Sequence, residues 1–189
     1  NMQAGKIEEG NVISIAKMDD TDEIMKFIDN EWEKGHILGN NKDFFLYEYK
    51  NNDHLNFVVS KNQHNKINGT LGFLKASSEK DSTVWTTMWK VSKDNGTPML
   101  GVKLLNFLRE QGHQSVMSSG INIKTEEIYR YLGFHVGTLK HYFIPNQELR
   151  VHKIAVITDS VLKKIIAFNK NEDFFLKKIE FQELEENFN

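Results

Sequence analysis

Asn122-Ile-Lys-Thr125-Glu-Glu-Ile-Tyr129-Arg-Tyr-Leu-Gly133-Phe134 is the stretch of this sequence that says most about its fold. The segment before it, Ser115–Ile121, is predicted to be a strand, and so is the segment after it, Phe134–Ile144. Within the stretch we predict a helix from Lys124 to Leu132. Gly133 should end this helix, because glycine readily adopts the left-handed conformation found at many helix C-termini.

Upstream of this stretch, the apolar pattern predicts one strand, two helices and then three strands. The first helix is indicated by four apolar residues that recur at i, i+3, i+4 and i+8 and so share one face: Ile24, Phe27, Ile28 and Trp32. Asp20 and Glu23 stand at the spacing of a capping box at its start. The other predicted elements are a strand at Val12–Ala16, a helix at Lys42–Lys50 and strands at Leu55–Ser60, Ile67–Ala76 and Thr83–Ser92.

Two further elements complete the predicted order. A helix is predicted from Gly101 to Gln111, and a last strand at Val151–Ile157. Strands that follow one another across polar turns favour an antiparallel meander, whereas helices and strands alternate after it. We therefore expect an α/β (α+β) protein with a mixed, mostly antiparallel twisted sheet of about seven strands and helices on both faces.

The composition excludes several classes of function. The formal net charge is −2 over 189 residues, and we find no basic patch for a nucleic acid. No apolar run approaches the roughly 20 residues that span a bilayer. Cysteine is absent and the seven histidines are scattered without an H-E-x-x-H pattern, so we expect no metal site. These features fit a cytoplasmic protein.

The segment between the strand at Thr83–Ser92 and the helix at Gly101–Gln111 is a candidate phosphate-binding loop. A turn that leads into a helix presents unpaired backbone N–H groups together with the positive end of the helix dipole, and both attract a pyrophosphate. A strand, a glycine-containing loop and a helix also occur in many proteins without this role. The loop therefore needs support from another segment.

That support comes from the spacing of Asn122, Thr125, Tyr129, Gly133 and Phe134, which resembles the pattern N-x-x-A-x-x-x-Y-x-x-x-G-F of GNAT acetyltransferases. Thr125 stands where the family usually has alanine. Further matches to the family are Val91 at the end of the fourth strand and Gly101-Val-Lys-Leu-Leu105 at the start of the next helix. The resemblance covers the chain from Val12 to about Ile157.

The resemblance implies a binding site for acetyl-CoA as co-substrate. Backbone groups at the end of the fourth strand would pair with the pantetheine arm, amides of the loop would bind the pyrophosphate, and the position of Asn122 often touches the cofactor arm. The cofactor-binding residues predicted in this way are Lys90, Val91, Thr97, Met99, Leu100, Gly101, Val102, Asn122 and Thr125. One departure concerns the family's R/Q-x-x-G-x-G/A loop, whose marked positions hold Gly96, Met99 and Gly101 here, so we expect weaker or displaced pyrophosphate binding.

The resemblance also implies catalytic residues. Tyr129 occupies the position of the tyrosine that donates a proton to the departing CoA thiolate, and it could instead be a core tyrosine with its hydroxyl at the edge. Glu31 and His36 are candidates for the acceptor side, where a solvated charge and a turn residue are the alternatives; His141 and Tyr142 could approach from the other wall. Trp85 and Trp89 are predicted to share one face of their strand and to be packing residues.

We therefore predict an acyl-CoA-dependent N-acyltransferase that acts by direct attack of a primary amine. A looser resemblance to bacterial GNAT proteins of surface-polysaccharide and amino-sugar biosynthesis implies a nucleotide-linked amino sugar as acceptor, and a homodimer is compatible with this interpretation. A non-catalytic GNAT-like binding module of a larger enzyme is the alternative. A third reading, aminoacyl transfer from tRNA, is disfavoured by the charge.

The predicted domain organisation is an acyltransferase domain at residues 1–157 and a C-terminal extension at residues 158–189. The sequence ends without a helix stop signal, so we interpret the extension as the start of a further domain in a longer protein.

Overall fold

A computed structural model of the protein describes residues 5–8, 10–79, 81–93 and 97–139. Its strands are β1 (Lys6–Glu8), β2 (Asn11–Lys17), β3 (Lys50–Asn51), β4 (His54–Lys61), β5 (Ile67–Lys75), β6 (Val84–Val91) and β7 (Val116–Ser118). Its α-helices are α1 (Thr21–Phe27), α2 (Ile37–Asn40), α3 (Lys42–Tyr49), α4 (Leu100–Arg109) and α5 (Glu126–Tyr131). A π-helical turn, Ile28–Trp32, continues α1, and a 3₁₀ turn, Ile123–Thr125, precedes α5.

The strands of the described residues form one seven-stranded sheet in the order β1-β2-β4-β5-β6-β7, with β3 paired to β4. All pairs are antiparallel except β6 and β7, which run parallel. The chain must therefore cross the sheet between β6 and β7, and α4 makes that crossing. The predicted meander of three strands, the α/β class and the mostly antiparallel sheet are confirmed.

Each face of the sheet carries its own hydrophobic core. Helices α1 to α3 cover one face, where Phe45, Tyr49 and Phe57 lie within 5.6 Å of one another by ring centroids. Helix α4 covers the other face with Leu104 and Leu105, which are fully buried. Helices on both faces therefore protect the central strands from water, which is why β4 and β5 are buried almost throughout.

The prediction that Trp32 shares the buried face of the first helix is wrong. Ile24, Phe27 and Ile28 are buried as expected, whereas Trp32 is 44% exposed. The reason is the π-helical turn that begins at Ile28, because the wider turn adds a residue and rotates the following side chains out of the α-helical register.

The predicted capping box is also wrong. Asp20 makes no side-chain cap to α1 and instead accepts hydrogen bonds from the backbone N–H of Lys17 and from Lys61 Nζ. Glu23 accepts a hydrogen bond from the backbone N–H of Ile67 at 2.9 Å. Both carboxylates thus tie the helix to the sheet, because strand donors within reach compete with the helix N-terminus.

Short elements at Lys6–Glu8, Ile37–Asn40 and Lys50–Asn51 were not predicted, because they are too short to show a period. Conversely, residues 134–139 do not form the start of the strand predicted at Phe134–Ile144. Its remaining residues, His141, Tyr142 and the strand predicted at Val151–Ile157 lie outside the described residues.

The chain forms two compact units, Asn1–Val136 and Gly137–Asn189, and all elements described above belong to the first. The domain boundary predicted between residues 157 and 158 stays a prediction. None of the helices in the described ranges is long and apolar enough to cross a membrane.

Candidate functional site

The parallel strand β7 pairs with only the first three residues of β6. The paired residues are Val84 with Val116, Trp85 with Met117, and Thr86 with Ser118, where β7 ends. Strand β6 continues to Val91, so its edge beyond Thr86 has no strand partner among the described residues. The backbone groups along this edge are therefore available to an extended ligand.

A β-bulge at Met88 changes the direction of the side chains along β6. Met88 has a φ of 42°, and the register with β5 shifts between Thr70 and Gly72. Thr70 Oγ1 donates a hydrogen bond to the carbonyl oxygen of Met88 at 3.1 Å and so holds the bulge. The bulge lies on the part of β6 that extends beyond its pairing with β7. Bulges are frequent at sheet edges and next to active sites.

The bulge shows that the prediction of one shared face for Trp85 and Trp89 is wrong. Val84 and Trp89 both pack in the core under α4, although they are five positions apart and regular alternation would place them on opposite faces. Trp85, which is adjacent to Val84, is therefore on the other face and is 38% exposed. The extra residue at Met88 reverses the alternation.

Trp89 connects the start of α4 to Tyr129. Its indole Nε1 donates a hydrogen bond to the carbonyl oxygen of Gly101 at 3.0 Å, and its ring meets the Tyr129 ring edge-on at 5.4 Å. A Cβ on Gly101 would lie only 3.2 Å from Trp89 Nε1. The glycine at this position therefore lets the tryptophan approach the first turn of the helix.

The first turn of α4 presents backbone donors at the end of β6. The N–H groups of Leu100, Gly101 and Val102 have no acceptor within the helix. The N–H of Lys103 is the first that does, and it donates to Met99 O at 3.0 Å. The turn carries no acidic residue, and so no negative charge that would repel an anion. Gly96 lies outside the described residues, and Pro98 has no N–H to contribute.

Met99, the N-cap residue of α4, adopts the left-handed conformation with φ 58° and ψ 22°. This is the conformation that glycine adopts without strain, whereas a residue with a Cβ is strained in it. The methionine thus keeps the glycine-like backbone, with its side chain 59% exposed.

We expect Met99→Gly to raise the free energy of unfolding by about 1 kcal/mol, because the left-handed conformation costs a residue with a Cβ about that much. Chemical denaturation would measure the change. Met99→Ala is the matched control, since it removes the same exposed side chain but keeps the Cβ. Equal stability of the two variants would contradict the strain.

Tyr129 lies on α5 and contacts the end of β7. It is 5% exposed, and its hydroxyl donates a hydrogen bond to Ser118 Oγ at 3.3 Å. Its ring is held edge-on between Trp89 and Phe134. Since Ser118 is the last residue of β7, the hydroxyl lies at the point along β6 where the pairing with β7 stops.

The helix end that carries Tyr129 has the predicted stop. Gly133 has a φ of 83°, and the N–H of Phe134 donates to the carbonyl oxygen of Tyr129 at 3.0 Å. This turn directs the Phe134 ring back onto Tyr129, with centroids 5.3 Å apart. The spacing of the tyrosine, the glycine and the phenylalanine thus serves to hold the tyrosine ring.

No protein-family model matches the sequence, and no curated protein matches it. Solved structures do match the fold. A possible acetyltransferase from Clostridium difficile 630 superposes with a TM-score of 0.53 at 17% identity, over 73% of this chain and 99% of that one. The chain has the GNAT fold.

Two other structures with the GNAT fold give similar superpositions. AAC(6')-Iy, in complex with the bisubstrate analogue CoA-S-monomethyl-acetylneamine, has a TM-score of 0.52 at 13% identity, over 72% of this chain and 98% of that one. An aminoglycoside acetyltransferase from an uncultured soil metagenomic sample has a TM-score of 0.52 at 14% identity, over 72% of this chain and 99% of that one. At such identities the similarity shows the fold alone.

Within the GNAT fold, Asn122 and Thr125 form the turn that starts α5. Asn122 Oδ1 accepts a hydrogen bond from the N–H of Lys124 at 2.9 Å, and Thr125 Oγ1 donates to the carbonyl oxygen of Asn122 at 2.7 Å. These contacts give both residues a structural role. Their predicted contact with the cofactor arm stays a prediction.

On the opposite face of the sheet, the structure brings Glu31 to the end of β6. Glu31 lies in the π-helical turn and its Oε1 is 3.5 Å from Ser92 Oγ, the donor of a long hydrogen bond. The exposed ring of Trp32 follows it. A carboxylate at the end of β6 and an exposed aromatic ring on the next residue suit an amine ligand.

His36 has a different place from Glu31. Its Nδ1 accepts a hydrogen bond from the N–H of Leu38 at 3.2 Å, so the ring caps the short helix α2. Asp29 holds the same loop by accepting hydrogen bonds from Asn40 Nδ2 and from the N–H of Gly35. The amide of Asn40 and the N–H of Gly35 lower the pKa of the Asp29 carboxyl.

Several residues of the site were missed by the sequence analysis. They are the bulge residue Met88, the hydroxyl partner Ser118, the loop residue Asp29, and the buried Asn11 and Asn68. None belongs to a periodic pattern. Only the turn signal at Lys34-Gly35 could have indicated the loop that Asp29 holds.

The described ranges contain no group of three or more histidine, aspartate or glutamate residues that could hold a metal ion. The candidate site therefore consists of the open β6 edge, the first turn of α4, Tyr129 with Ser118, and Glu31 on the other face.

Proposed function

We propose that the protein transfers an acetyl or other short acyl group from acyl-CoA to a primary amine. The observation that carries this proposal is the position of the Tyr129 hydroxyl at the end of β7, where the pairing of β6 with β7 stops. A thioester whose pantetheine arm lay along the open edge of β6 would bring its sulfur toward this hydroxyl.

The residues present fit CoA. The edge of β6 around Lys90 and Val91 offers backbone donors and acceptors to the amides of a pantetheine arm. The segment from Thr97 to Val102 offers N–H groups at the positive end of the α4 dipole for a pyrophosphate. Met99 adopts the left-handed backbone conformation that glycine favours, which supports binding through the altered loop.

Tyr129 would act as the general acid. The amine nitrogen attacks the thioester carbonyl carbon and releases a proton to water, the C–S bond breaks, and the phenolic proton passes to the sulfur. A positioned proton donor typically contributes a factor of about 10² to 10⁴. The Ser118 hydroxyl, 3.3 Å away, could then donate to the phenolate and stabilise it until a proton returns from water.

Glu31 would receive the acceptor. A protonated amine must lose a proton before it attacks, and a carboxylate at the end of β6 can both bind the ammonium group and lead its proton to water. His36 suits this role less, because its Nδ1 accepts the hydrogen bond from the N–H of Leu38 and the neutral ring therefore carries its proton on Nε2, which donates rather than accepts. Glu31 is the stronger candidate because it contacts Ser92, which directly follows β6.

For the acceptor we propose an amino sugar, as a nucleotide-linked intermediate of surface-polysaccharide biosynthesis. Its support is the looser sequence resemblance given above. A further support is that AAC(6')-Iy, which shares the fold, holds an analogue that joins CoA to acetylneamine. Glu31 and Trp32 offer the carboxylate and the aromatic face that amino sugars commonly engage.

Isothermal titration with acetyl-CoA tests the proposed function. Micromolar binding is expected, followed by acyl transfer to members of a panel of amino sugars. Absence of binding up to millimolar acetyl-CoA would instead favour a non-catalytic module with the GNAT fold. With an acceptor in hand, Glu31→Gln should raise the KM for the amine and leave the affinity for acetyl-CoA unchanged; an unchanged KM would remove Glu31 from the acceptor site.

A further inference from the structure

Three buried polar side chains form a chain of hydrogen bonds beneath the loop before α4. Asn11, Asn68 and Thr97 are 3%, 6% and 8% exposed. Asn68 Nδ2 donates to Asn11 Oδ1 at 2.8 Å, and Asn11 Nδ2 donates to Thr97 Oγ1 at 2.6 Å. We call these three residues the amide relay. They join the start of β2, the start of β5 and the loop.

Residues of the amide relay contact the chain at two places, directly after β6 and shortly before α4. On the side of β6, the backbone N–H of Ser92 donates to the carbonyl oxygen of Asn68 at 2.9 Å. On the side of α4, Thr97 is bound through Asn11 and lies two residues before the left-handed Met99. The bond to Ser92 is a main-chain contact, so it is the contact with Thr97 that depends on the side chains of the relay.

Stability alone does not explain why amides occupy these positions. Burying a carboxamide is unfavourable unless all its polar atoms are paired, and Asn68 Oδ1 is buried without a partner among the described residues. Apolar side chains would fill strand positions of this kind at lower cost. The specific reach of Asn11 to Thr97 is what an apolar residue could not replace.

We propose that the amide relay is a positioning device that keeps Thr97 and the turn that follows it in the conformation in which the first turn of α4 binds the pyrophosphate of CoA. This inference rests on the proposed function. A loop that samples other conformations reduces the apparent affinity by the fraction of time it spends in the competent one. The relay raises that fraction before CoA arrives.

The test compares a ligand that contains the pyrophosphate with one that ends before it. CoA contains it, and S-acetyl-pantetheine lacks it together with the nucleotide. For Thr97→Val, which keeps the shape and removes the hydroxyl, we expect the Kd of CoA to rise about tenfold, the effect of losing one buried hydrogen bond. The Kd of S-acetyl-pantetheine, measured by NMR titration, should not change. Thr97→Ser should restore CoA binding.

Two other variants complete the experiment. Asn11→Ser shortens the partner side chain and should give the same pattern as Thr97→Val, so it replaces that variant if the latter fails to fold. Asn56→Ala is the matched control, because Asn56 is 8% exposed and its Oδ1 accepts a side-chain hydrogen bond from Asn51 at 3.2 Å. It should leave both Kd values unchanged.

The inference is overturned if the relay variants weaken both ligands equally, or if CoA binding is unaffected in folded Thr97→Val and Asn11→Ser. Failure of the unaltered protein to bind CoA is a separate outcome. It would overturn the proposed function together with the relay, whereas normal binding by the unaltered protein and by the relay variants would overturn only the relay.

Discussion

Tyr129→Phe is expected to lower kcat about a hundredfold, the lower end of what a general acid contributes. The phenylalanine keeps the ring that packs edge-on against Trp89 and Phe134. It loses only the hydroxyl, which donates to Ser118 Oγ at the end of β7. The affinity for acetyl-CoA should therefore stay close to that of the unaltered protein, and steady-state kinetics with titration calorimetry would separate the two effects.

Tyr131→Phe is the matched control for this prediction. Tyr131 belongs to the same helix but is 85% exposed, so its hydroxyl should not matter for turnover. Unchanged turnover of Tyr129→Phe would remove Tyr129 from the mechanism. A parallel loss of affinity and kcat would instead mean that the hydroxyl serves packing, through Ser118 and the end of β7.

Gly72→Ala is expected to lower the free energy of unfolding by about 2 to 3 kcal/mol, as overpacking of a close-packed core does. Gly72 pairs with Phe57 on one side and with Thr87 on the other. A Cβ at this position would lie 2.6 Å from Thr87 Oγ1 and 3.0 Å from Phe57 Cζ. Both neighbours are themselves fixed: Tyr49 OH is 3.0 Å from Thr87 Oγ1, and the Tyr49 and Phe57 rings are 4.6 Å apart.

A double-mutant cycle with Thr87→Ala identifies the cause of this destabilisation. Thr87→Ala alone should cost about 1 kcal/mol, because it leaves the buried Tyr49 hydroxyl without its partner. In the double variant the shortest contact is gone, so the total loss should be smaller than the sum of the two single losses. Chemical denaturation measures all three. Simple additivity would show that Thr87 is not what Gly72 must avoid.

The same Tyr49 illustrates how the core and the candidate site share residues. Burial raises the pKa of its hydroxyl, which therefore stays protonated and bridges α3 to the strand that carries the bulge at Met88. A change at Gly72 should for this reason affect the site as well as stability, because Thr87 directly precedes the bulge.

Local periodicity was sufficient to predict the helices and strands that position the site. The helix that carries Tyr129, its stop at Gly133 and the helix that follows the loop were all found within a few residues of their observed bounds. These features depend on neighbours three or four positions apart, and such neighbours are visible in the sequence. The resemblance to the GNAT pattern depends on the same short spacings.

Contacts between distant parts of the chain were not predictable in this way. Asn11 reaches Thr97 across 86 positions and Asn68 across 57, and no spacing rule connects residues so far apart. Their meeting depends on the register of β2, β4 and β5. The opposite roles of Trp85 and Trp89 likewise depend on one extra residue at Met88, which no period reveals.

The sequence by itself determined the order of the longer elements from β2 to α5, the glycine stop after α5, and the residue type and position of the candidate proton donor. The tertiary structure alone decided which groups surround them: the edge of β6 beyond Thr86, the indole of Trp89 on Gly101, and the amide relay beneath the loop. The physical reason is that backbone propensity acts over a few residues, whereas strand register and packing set the distances between residues far apart in sequence.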